Sequence, residues 1–240
     1  AGAGQMHEVM SYSFQSDDLL ETLGWTAKPH VEVVNPVAAG MSRVRRAVLP
    51  SLLGLLAEGR RQSNDLRIFE VGKAYVPNPD AVDGQPIELH EVALAWAMPC
   101  ASPDAAFDDS RLLHLRGMLQ DLFVHLELEA PIWTLDEQAP SWAHPGRALV
   151  ARVGDSEPPL VRLAELHPEV AVALGLEGEL ACDVALAEIS LDQVLGAPQA
   201  ASAYRPIPRF PGVKLDVAVL ASEETLAGDV QALIEKAGKG

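Results

Sequence analysis

Cysteine, aromatic residues and long apolar runs are all scarce in this 240-residue sequence. Its two cysteines, Cys100 and Cys182, fit neither a zinc-ligand spacing nor a disulfide framework, which indicates a reducing compartment. Although 48% of the residues are apolar, no run reaches the roughly 18–20 apolar residues that span a bilayer. No signal peptide is recognisable either. The sequence therefore predicts a cytoplasmic protein without membrane contact.

Basic residues are also few, with 18 lysines and arginines against 34 acidic residues and a net charge of −16. This balance argues against a chain that mainly binds nucleic acid, since such domains usually carry a basic face. The excess is uneven, because residues 1–77 hold eight acids and eight bases. Five arginines fall between Arg43 and Arg61. They form either a solvated helix face or a basic patch for a phosphate backbone or an acidic partner.

The motifs of common catalytic sites are missing. There is no glycine-rich phosphate loop, no HExxH helix and no serine in a G-x-S-x-G turn. The seven histidines lack metal-ligand spacing, and Cys182 lies in an apolar strand where a thiol is usually inert. The residues themselves therefore predict no catalytic residue, cofactor site or metal site.

Apolar periodicity predicts an α+β fold. Pro50 suits the first turn of a helix, and Leu49, Leu52, Leu53 and Leu56 form one apolar stripe at helical spacing. Residues 131–142 are expected to be irregular, Gly72 to distort its strand, and Arg67 to pair with Glu70. The predicted strands are 8–14, 30–34, 67–75, 91–98, 148–153, 160–165, 181–189 and 213–219. The other predicted helices are 19–23, 112–126 (stripe Leu112, Leu115, Leu119, Leu122, Leu126), 191–193 and 226–237.

The composition predicts two domains. Residues 1–195 form the first, and the small residues of 196–203 read as a linker. Residues 204–240 supply one strand and one helix, which cannot bury a core alone, so this second unit looks incomplete.

Several segments resemble the β-subunit family of bacterial phenylalanyl-tRNA synthetase, and they occur in that family's order. Each match is modest alone, but six in register cover nearly the whole chain. They are EVMSYSF (8–14), NP (35–36) with MSRVRRAVLPSLLGLLAEGRRQ (41–62), RIFEVGKAY (67–75), WAHPGRA (142–148), AELHPEV (164–170) and PRFPGVKLDVAV (208–219).

The resemblance implies a class II aminoacyl-tRNA synthetase-like domain, with a mixed or antiparallel sheet and flanking helices. An incomplete ferredoxin-like anticodon-binding unit is expected to follow it. In active class II enzymes the strand like RIFEVGKAY leads into an arginine that grips the ATP α-phosphate. Here Ala74 is followed by Tyr75, Val76 and Pro77. The resemblance therefore implies a non-catalytic copy with no cofactor of its own.

The same resemblance implies the partners. The chain would be a fragment of the β subunit of an ATP-dependent ligase, phenylalanine–tRNA ligase. It would dock the catalytic α subunit, which holds ATP and Mg²⁺, within an (αβ)₂ assembly that binds tRNA. The basic residue of the family's R-R-D pattern is lost at Leu215, between Lys214 and Asp216.

A subunit interface is expected on the strand–turn–helix at 33–56. Arginine is favoured at interfaces, although the leucines and arginines could equally pack on the chain's own sheet. The predicted interface residues are Asn35, Pro36, Met41, Arg43, Arg45, Leu49, Leu52 and Leu53. Two alternatives stay open: an independent class II-like enzyme, and a stand-alone synthetase-like paralogue that binds RNA or regulates.

Overall fold

The computed structural model describes most of the chain and divides it into two compact units. The units are Ala1–Ala201 and Ser202–Gly240. The described residues are 5–26, 28–36, 38–99, 110–154, 156–200, 213–222, 225 and 227–238.

Strands dominate the described part of the first unit. They are β1 (His7–Glu8), β2 (Phe14–Gln15), β3 (Arg43–Val44), β4 (Leu66–Val76), β5 (Ile87–Pro99), β6 (Ile132–Leu135), β7 (Ala143–Arg152), β8 (Val161–Leu166) and β9 (Cys182–Ser190).

Seven of these strands form one sheet in the order β1-β4-β5-β9-β8-β7-β6. Strand β1 runs parallel to β4, and all other neighbours are antiparallel. Strands β2 and β3 form a separate antiparallel pair. The predicted α+β fold with a mostly antiparallel sheet is confirmed.

Helices flank the sheet. Ser16 caps the first one by accepting a hydrogen bond from the Leu19 amide, and Pro50 lies in the first turn of the second. In the described residues they are α1 (Asp17–Thr22), α2 (Leu49–Gln62), α3 (Ser110–His125), α4 (Pro168–Ala173), α5 (Leu191–Gly196) and α6 (Ala227–Ala237), with a 3-10 turn at Gly178–Leu180.

The sheet has an apolar layer on each face. Helix α2 packs over β4 and β5 on one face, and α3 packs over β8 and β9 on the other. Alternation along β9 supplies both layers, because Val184 and Leu186 join the α2 core while Ala185 and Ala187 join the α3 core. The helices therefore fix which side chains of the sheet stay open.

The predicted strand over 8–14 is wrong as a single element. Strand β1 ends at Glu8, and Val9 still donates to the Phe69 carbonyl at 2.9 Å. The chain then leaves β4 and pairs again only at Phe14, with β3. The aromatic and β-branched residues here therefore serve two different sheets.

Two other secondary-structure predictions fail. The segment 30–34, predicted as a strand, forms no named strand, and it pairs with the chain near Arg43 through an isolated bridge at Glu32. Residues 132–135, expected to be irregular, form the edge strand β6, where Ile132 and Leu135 are exposed. An edge strand without a buried face lacks the alternation that periodicity detects.

The long leucine stripe of α3 is only partly correct. Leu115 and Leu119 are buried, but Leu122 and Leu126 are exposed. Phe123 occupies the core position in the last turn instead. The register of the buried face therefore shifts by one residue near the end of the helix.

The predicted linker over 196–203 is partly ordered. Glu129 donates to the Pro198 carbonyl at 3.0 Å, and the Ala200 amide donates to the Glu127 carbonyl at 2.7 Å. Residues 201–203 lie outside the described residues. The segment up to residue 200 thus binds back to the end of α3.

The second unit is described at 213–222, 225 and 227–238. The predicted helix is confirmed as α6, although its expected first leucine at 226 lies outside the described residues. Residues 213–222 are exposed and form no strand, which corrects the prediction for 213–219. A strand needs a neighbour for its backbone groups, and none is described here. The ferredoxin-like fold of this unit stays a prediction.

Candidate functional site

The predicted interface residues occupy one segment, 35–53, whose first half is a hairpin. The Val33 amide donates to the Ser42 carbonyl across it at 2.8 Å. Asn35 and Pro36 lie exposed at the tip. These two residues are therefore accessible to a partner.

Arg43 holds the base of this hairpin. Its Nε lies 2.8 Å from Asp17 Oδ1, and its Nη1 donates to the Thr26 carbonyl at 3.0 Å. Met41 and Arg43 are both half-buried. Both side chains thus remain partly open to contact.

Arg45 lies in a different environment, with only 4% of its side chain exposed. Its Nη1 donates to Glu70 Oε1 at 2.7 Å and to Ser11 Oγ at 3.0 Å, while its Nε donates to the Lys73 carbonyl at 2.8 Å. Ser11 Oγ in turn donates to Glu70 Oε2 at 2.6 Å. The buried charges are thus paired and hydrogen-bonded, as burial requires.

Gly72 provides the space for the Arg45 guanidinium. A Cβ at this position would overlap Arg45 Nη2. The register of β4 with β5 is unbroken from Leu66 to Val76, so the predicted distortion at Gly72 is wrong. The glycine marks a close approach of a side chain to the sheet.

The predicted Arg67–Glu70 ion pair is also wrong. Arg67 and Glu70 are three positions apart on a strand, so their side chains point to opposite faces. Arg67 Nη2 lies 2.6 Å from Asp65 Oδ2, and its guanidinium stacks 4.3 Å from the Trp96 ring centre. Glu70 pairs with Arg45 instead.

The helical half of the segment belongs to the core. Leu49, Leu52 and Leu53 are 0% exposed and pack in the α2-side cluster. With Arg45 they are inaccessible to a partner in this structure. The structure therefore divides the predicted interface residues into four accessible residues and four buried ones.

An apolar depression lies beside the hairpin, and sequence reasoning missed it. It has a volume of about 210 Å³ and is lined by Tyr12, Phe14, Ala38 and Met41. Nearby Val34 is 93% exposed and Tyr12 is 81% exposed. Because these residues are far apart in sequence, only the pairing of β2 with β3 brings them together.

Basic residues line the loop between α1 and this hairpin. Arg46 donates to the Pro29 carbonyl, and His30 Nδ1 lies 2.6 Å from the Lys28 carbonyl. Burial lowers the pKa of Lys28, and the charge of Arg46 lowers it further. Burial likewise lowers the pKa of Arg46 and of His30. The positive charge of Arg43 lowers the pKa of His30 further. The cations are thus close enough to repel one another.

Two glutamates occupy core-facing positions of the sheet beneath. Glu91 accepts from the Val48 amide at 2.8 Å, and burial raises its pKa. Burial, together with the charge of Glu91, raises the pKa of Glu188 to about 8. Arg162 Nη1 is 3.8 Å from Glu188, whereas Arg162 Nε makes its short contact, 2.6 Å, with Asp136. In the sequence, Glu91 directly precedes the apolar run of β5 and Glu188 directly follows that of β9. A carboxylate next to such a run is the signal that could have revealed them.

The two His-Pro segments meet across β7 and β8. The rings of His144 and His167 lie 6.5 Å apart. His144 Nδ1 accepts from the Gly146 amide at 3.1 Å, and His167 Nδ1 accepts from the Glu169 amide at 3.2 Å. Both histidines therefore cap local turns.

The described residues were also compared with what a metal site and a membrane-spanning helix require. No group of three or more histidine, cysteine, aspartate or glutamate side chains is arranged there to hold a metal ion. None of the described helices is both long and apolar enough to cross a membrane. Burial raises the pKa of the Cys182 thiol, and Cys100 lies outside the described residues.

Comparison with known proteins gives a consistent assignment. A family model described as "Phenylalanyl tRNA synthetase beta chain CLM domain" matches residues 1–191. The chain is 34% identical over 98% of its length to the phenylalanine–tRNA ligase β subunit of Anaeromyxobacter dehalogenans, and 30% identical over 99% to that of Moorella thermoacetica. It spans 29% of the length of each of these relatives.

A solved structure shares the fold. The chain resembles Giardia lamblia prolyl-tRNA synthetase in complex with prolyl-adenylate, with a TM-score of 0.60 and 11% identity. The match covers 80% of this chain and 41% of the other. At this identity the likeness concerns the fold alone.

Proposed function

The chain belongs to the phenylalanyl-tRNA synthetase β-chain family, and we propose that within it the chain is a non-catalytic docking subunit. Its partner would be the catalytic α subunit of a phenylalanine–tRNA ligase. Together they would aminoacylate tRNA in the cytoplasm as an (αβ)₂ assembly. The β-subunit relatives and the accessible hairpin at 31–44 support this proposal.

The main observation that supports the non-catalytic assignment is that the Arg45 side chain occupies this part of the sheet face. The Arg45 guanidinium lies over Gly72 and is locked to Glu70 at 2.7 Å. A ligand on this part of the face would have to displace a buried arginine that is paired with Glu70. Removing one partner of such a pair leaves an uncompensated charge and costs about 3–5 kcal/mol.

The exit of β4 supports the same proposal. Val76 ends the strand and Pro77 follows it, so no guanidinium is supplied where the chain leaves the sheet. A planar guanidinium pairs with two phosphate oxygens at once, which an apolar side chain cannot do. We therefore assign ATP and Mg²⁺ to the α subunit.

An ATP–pyrophosphate exchange assay tests this assignment. The purified chain, an α subunit from a related bacterium, and their mixture would each be assayed with phenylalanine. The proposal expects no exchange by the chain alone and a complex with the α subunit in size-exclusion chromatography with light scattering. Phenylalanine-dependent exchange by the chain alone would refute the non-catalytic assignment, and the absence of a complex would refute docking.

A further inference from the structure

The hairpin surface, defined by Tyr12, Phe14, Ala38 and Met41, carries information about the chemistry of its partner. We propose that it binds an acidic segment of the α subunit, with one apolar side chain in the depression and carboxylates facing Lys28 and Arg46. This inference rests on the proposed docking function.

The hairpin surface and its surroundings expose apolar side chains to solvent. Tyr12 lines the depression of about 210 Å³ and is 81% exposed, and Val34, across the hairpin from Met41, is 93% exposed. Contiguous exposed apolar surface on a soluble chain commonly marks a site of interaction. The depression is large enough for one leucine or aromatic side chain. An anchor residue in a small pocket is the usual centre of a protein interface.

The segment that contains the hairpin is locally basic. Between residues 26 and 46 the sequence has four lysines and arginines and one acid, in a chain of net charge −16. Arg45 is neutralised by Glu70, and Arg43 by Asp17. Across the described ranges, no ion pair includes Lys28 or Arg46. Lys28 Nζ lies 3.8 Å from the Trp25 ring centre, and Arg46 donates to the Pro29 carbonyl. Neither contact supplies a neutralising carboxylate, so both cations can still pair with carboxylates of a partner.

The two parts are close enough for one partner to cover both. Met41 lines the depression, and Arg43 follows two positions later, about 7 Å away in extended chain. Arg43 Nη1 donates to the Thr26 carbonyl at 3.0 Å, two positions before Lys28. The Arg46 guanidinium reaches the backbone next to Lys28. A standard interface covers about 800 Å² per partner, which would include the depression and these cations.

A second copy of this chain is a poorer occupant. In a symmetric dimer the same patch meets itself, so the basic residues of the two copies would face one another. RNA would pair with the cations but would leave the apolar depression unfilled. An acidic, apolar-anchored protein segment satisfies both features.

The test compares matched substitutions in binding of the chain to the α subunit. Ala38→Glu places a carboxylate in the depression, and Ala130→Glu makes the same change at another exposed alanine. Lys28→Glu reverses a patch charge, and Arg61→Glu reverses an exposed charge on α2. We expect Ala38→Glu to weaken the complex about tenfold or more, and Lys28→Glu about threefold or more in a salt-dependent way.

Each outcome is decisive. Full binding by Ala38→Glu and Lys28→Glu, with melting temperatures unchanged, would overturn the inference but leave the docking function standing. No complex with the unsubstituted chain would overturn the docking function itself. If Lys28→Glu weakens tRNA binding but not α-subunit binding, the cations belong to an RNA site and the inference fails. Equal loss in both matched controls would show a general charge effect and would also overturn it.

Discussion

Arg43 and Arg45 stand two positions apart in one short segment, yet they belong to different regions of the molecule. Arg43 is 24% exposed and pairs with Asp17, which is 57% exposed. Arg45 is 4% exposed and pairs with Glu70, which is 3% exposed. The first arginine belongs to the open hairpin and the second to the closed sheet face. The boundary between docking surface and core therefore falls at residue 44.

This boundary explains why residues predicted as one interface divide into two groups. The chain crosses from the β2–β3 pair to the main sheet after Val44, and α2 then begins at Leu49. Of the predicted interface residues, those before the crossing are accessible, whereas Arg45, Leu49, Leu52 and Leu53 after it are buried. The substitutions below compare the two groups, beginning with the largest expected effect.

Replacing Arg45 by methionine should be far more harmful than the same change at Arg43. The Glu70 carboxylate would stay buried with only the Ser11 hydroxyl, which costs about 3–5 kcal/mol of unfolding free energy. The Arg43–Asp17 pair is exposed to solvent, so its loss should cost about 0–1 kcal/mol. Urea denaturation of both variants measures the difference.

A double substitution checks the cause of this loss. Arg45→Met with Glu70→Met removes both charges, and it should recover much of the stability because an apolar pair replaces a buried ion pair. If the double variant is no more stable than Arg45→Met alone, an unpaired Glu70 is not the cause of the lost stability.

The leucines of α2 give the second comparison. Leu52 is 0% exposed, so Leu52→Ala should leave a cavity and cost about 2–5 kcal/mol. Leu55 is 39% exposed on the same helix, and Leu55→Ala should cost about 0.5 kcal/mol or less. Equal losses in thermal unfolding would mean that α2 has no distinct buried face.

Glu188 tests the sheet face through pH. Its pKa of about 8 lies above the ordinary value of 4.5, so the folded chain keeps a proton that the unfolded chain releases. The free energy of unfolding should therefore fall as pH rises from about 4.5 to about 8. Glu188→Gln lacks this titration, so its melting temperature relative to the unsubstituted chain should rise over that range and then level off.

Glu165→Gln is the matched control for this change. Both glutamate side chains are 18% exposed, but Glu165 contacts Arg147 at 2.9 Å, whereas Glu188 lies 3.8 Å from its arginine. Glu165→Gln removes a glutamate of equal exposure and leaves the Glu188 carboxyl in place. A parallel gain in both variants would remove the special role of Glu188.

The sheet and its covering helices were predictable because they follow from periodicity. Pro50 and its leucine stripe predict α2, and the apolar runs at 92–98 and 184–187 predict β5 and β9. The edge strand β6 and the bridge at Glu32 were not predictable, because exposed residues there carry no pattern.

The candidate site was less predictable than the fold. The sequence placed an interface near Arg43, but it could not separate Arg43 from Arg45, since that depends on where the chain crosses to the main sheet. From the sequence, Gly72 predicts a distorted strand, whereas in the structure it makes room for the Arg45 guanidinium. The depression at Tyr12 and Met41 needs tertiary pairing, which no local pattern encodes.

Hydrogen–deuterium exchange with and without the α subunit tests the division at residue 44 most directly. We predict that binding slows exchange of the exposed amides in 32–43 and leaves 49–62 nearly unchanged, since those amides are already within α2. Unchanged exchange in 32–43 alongside a stable complex, or protection confined to 49–62, would contradict the account.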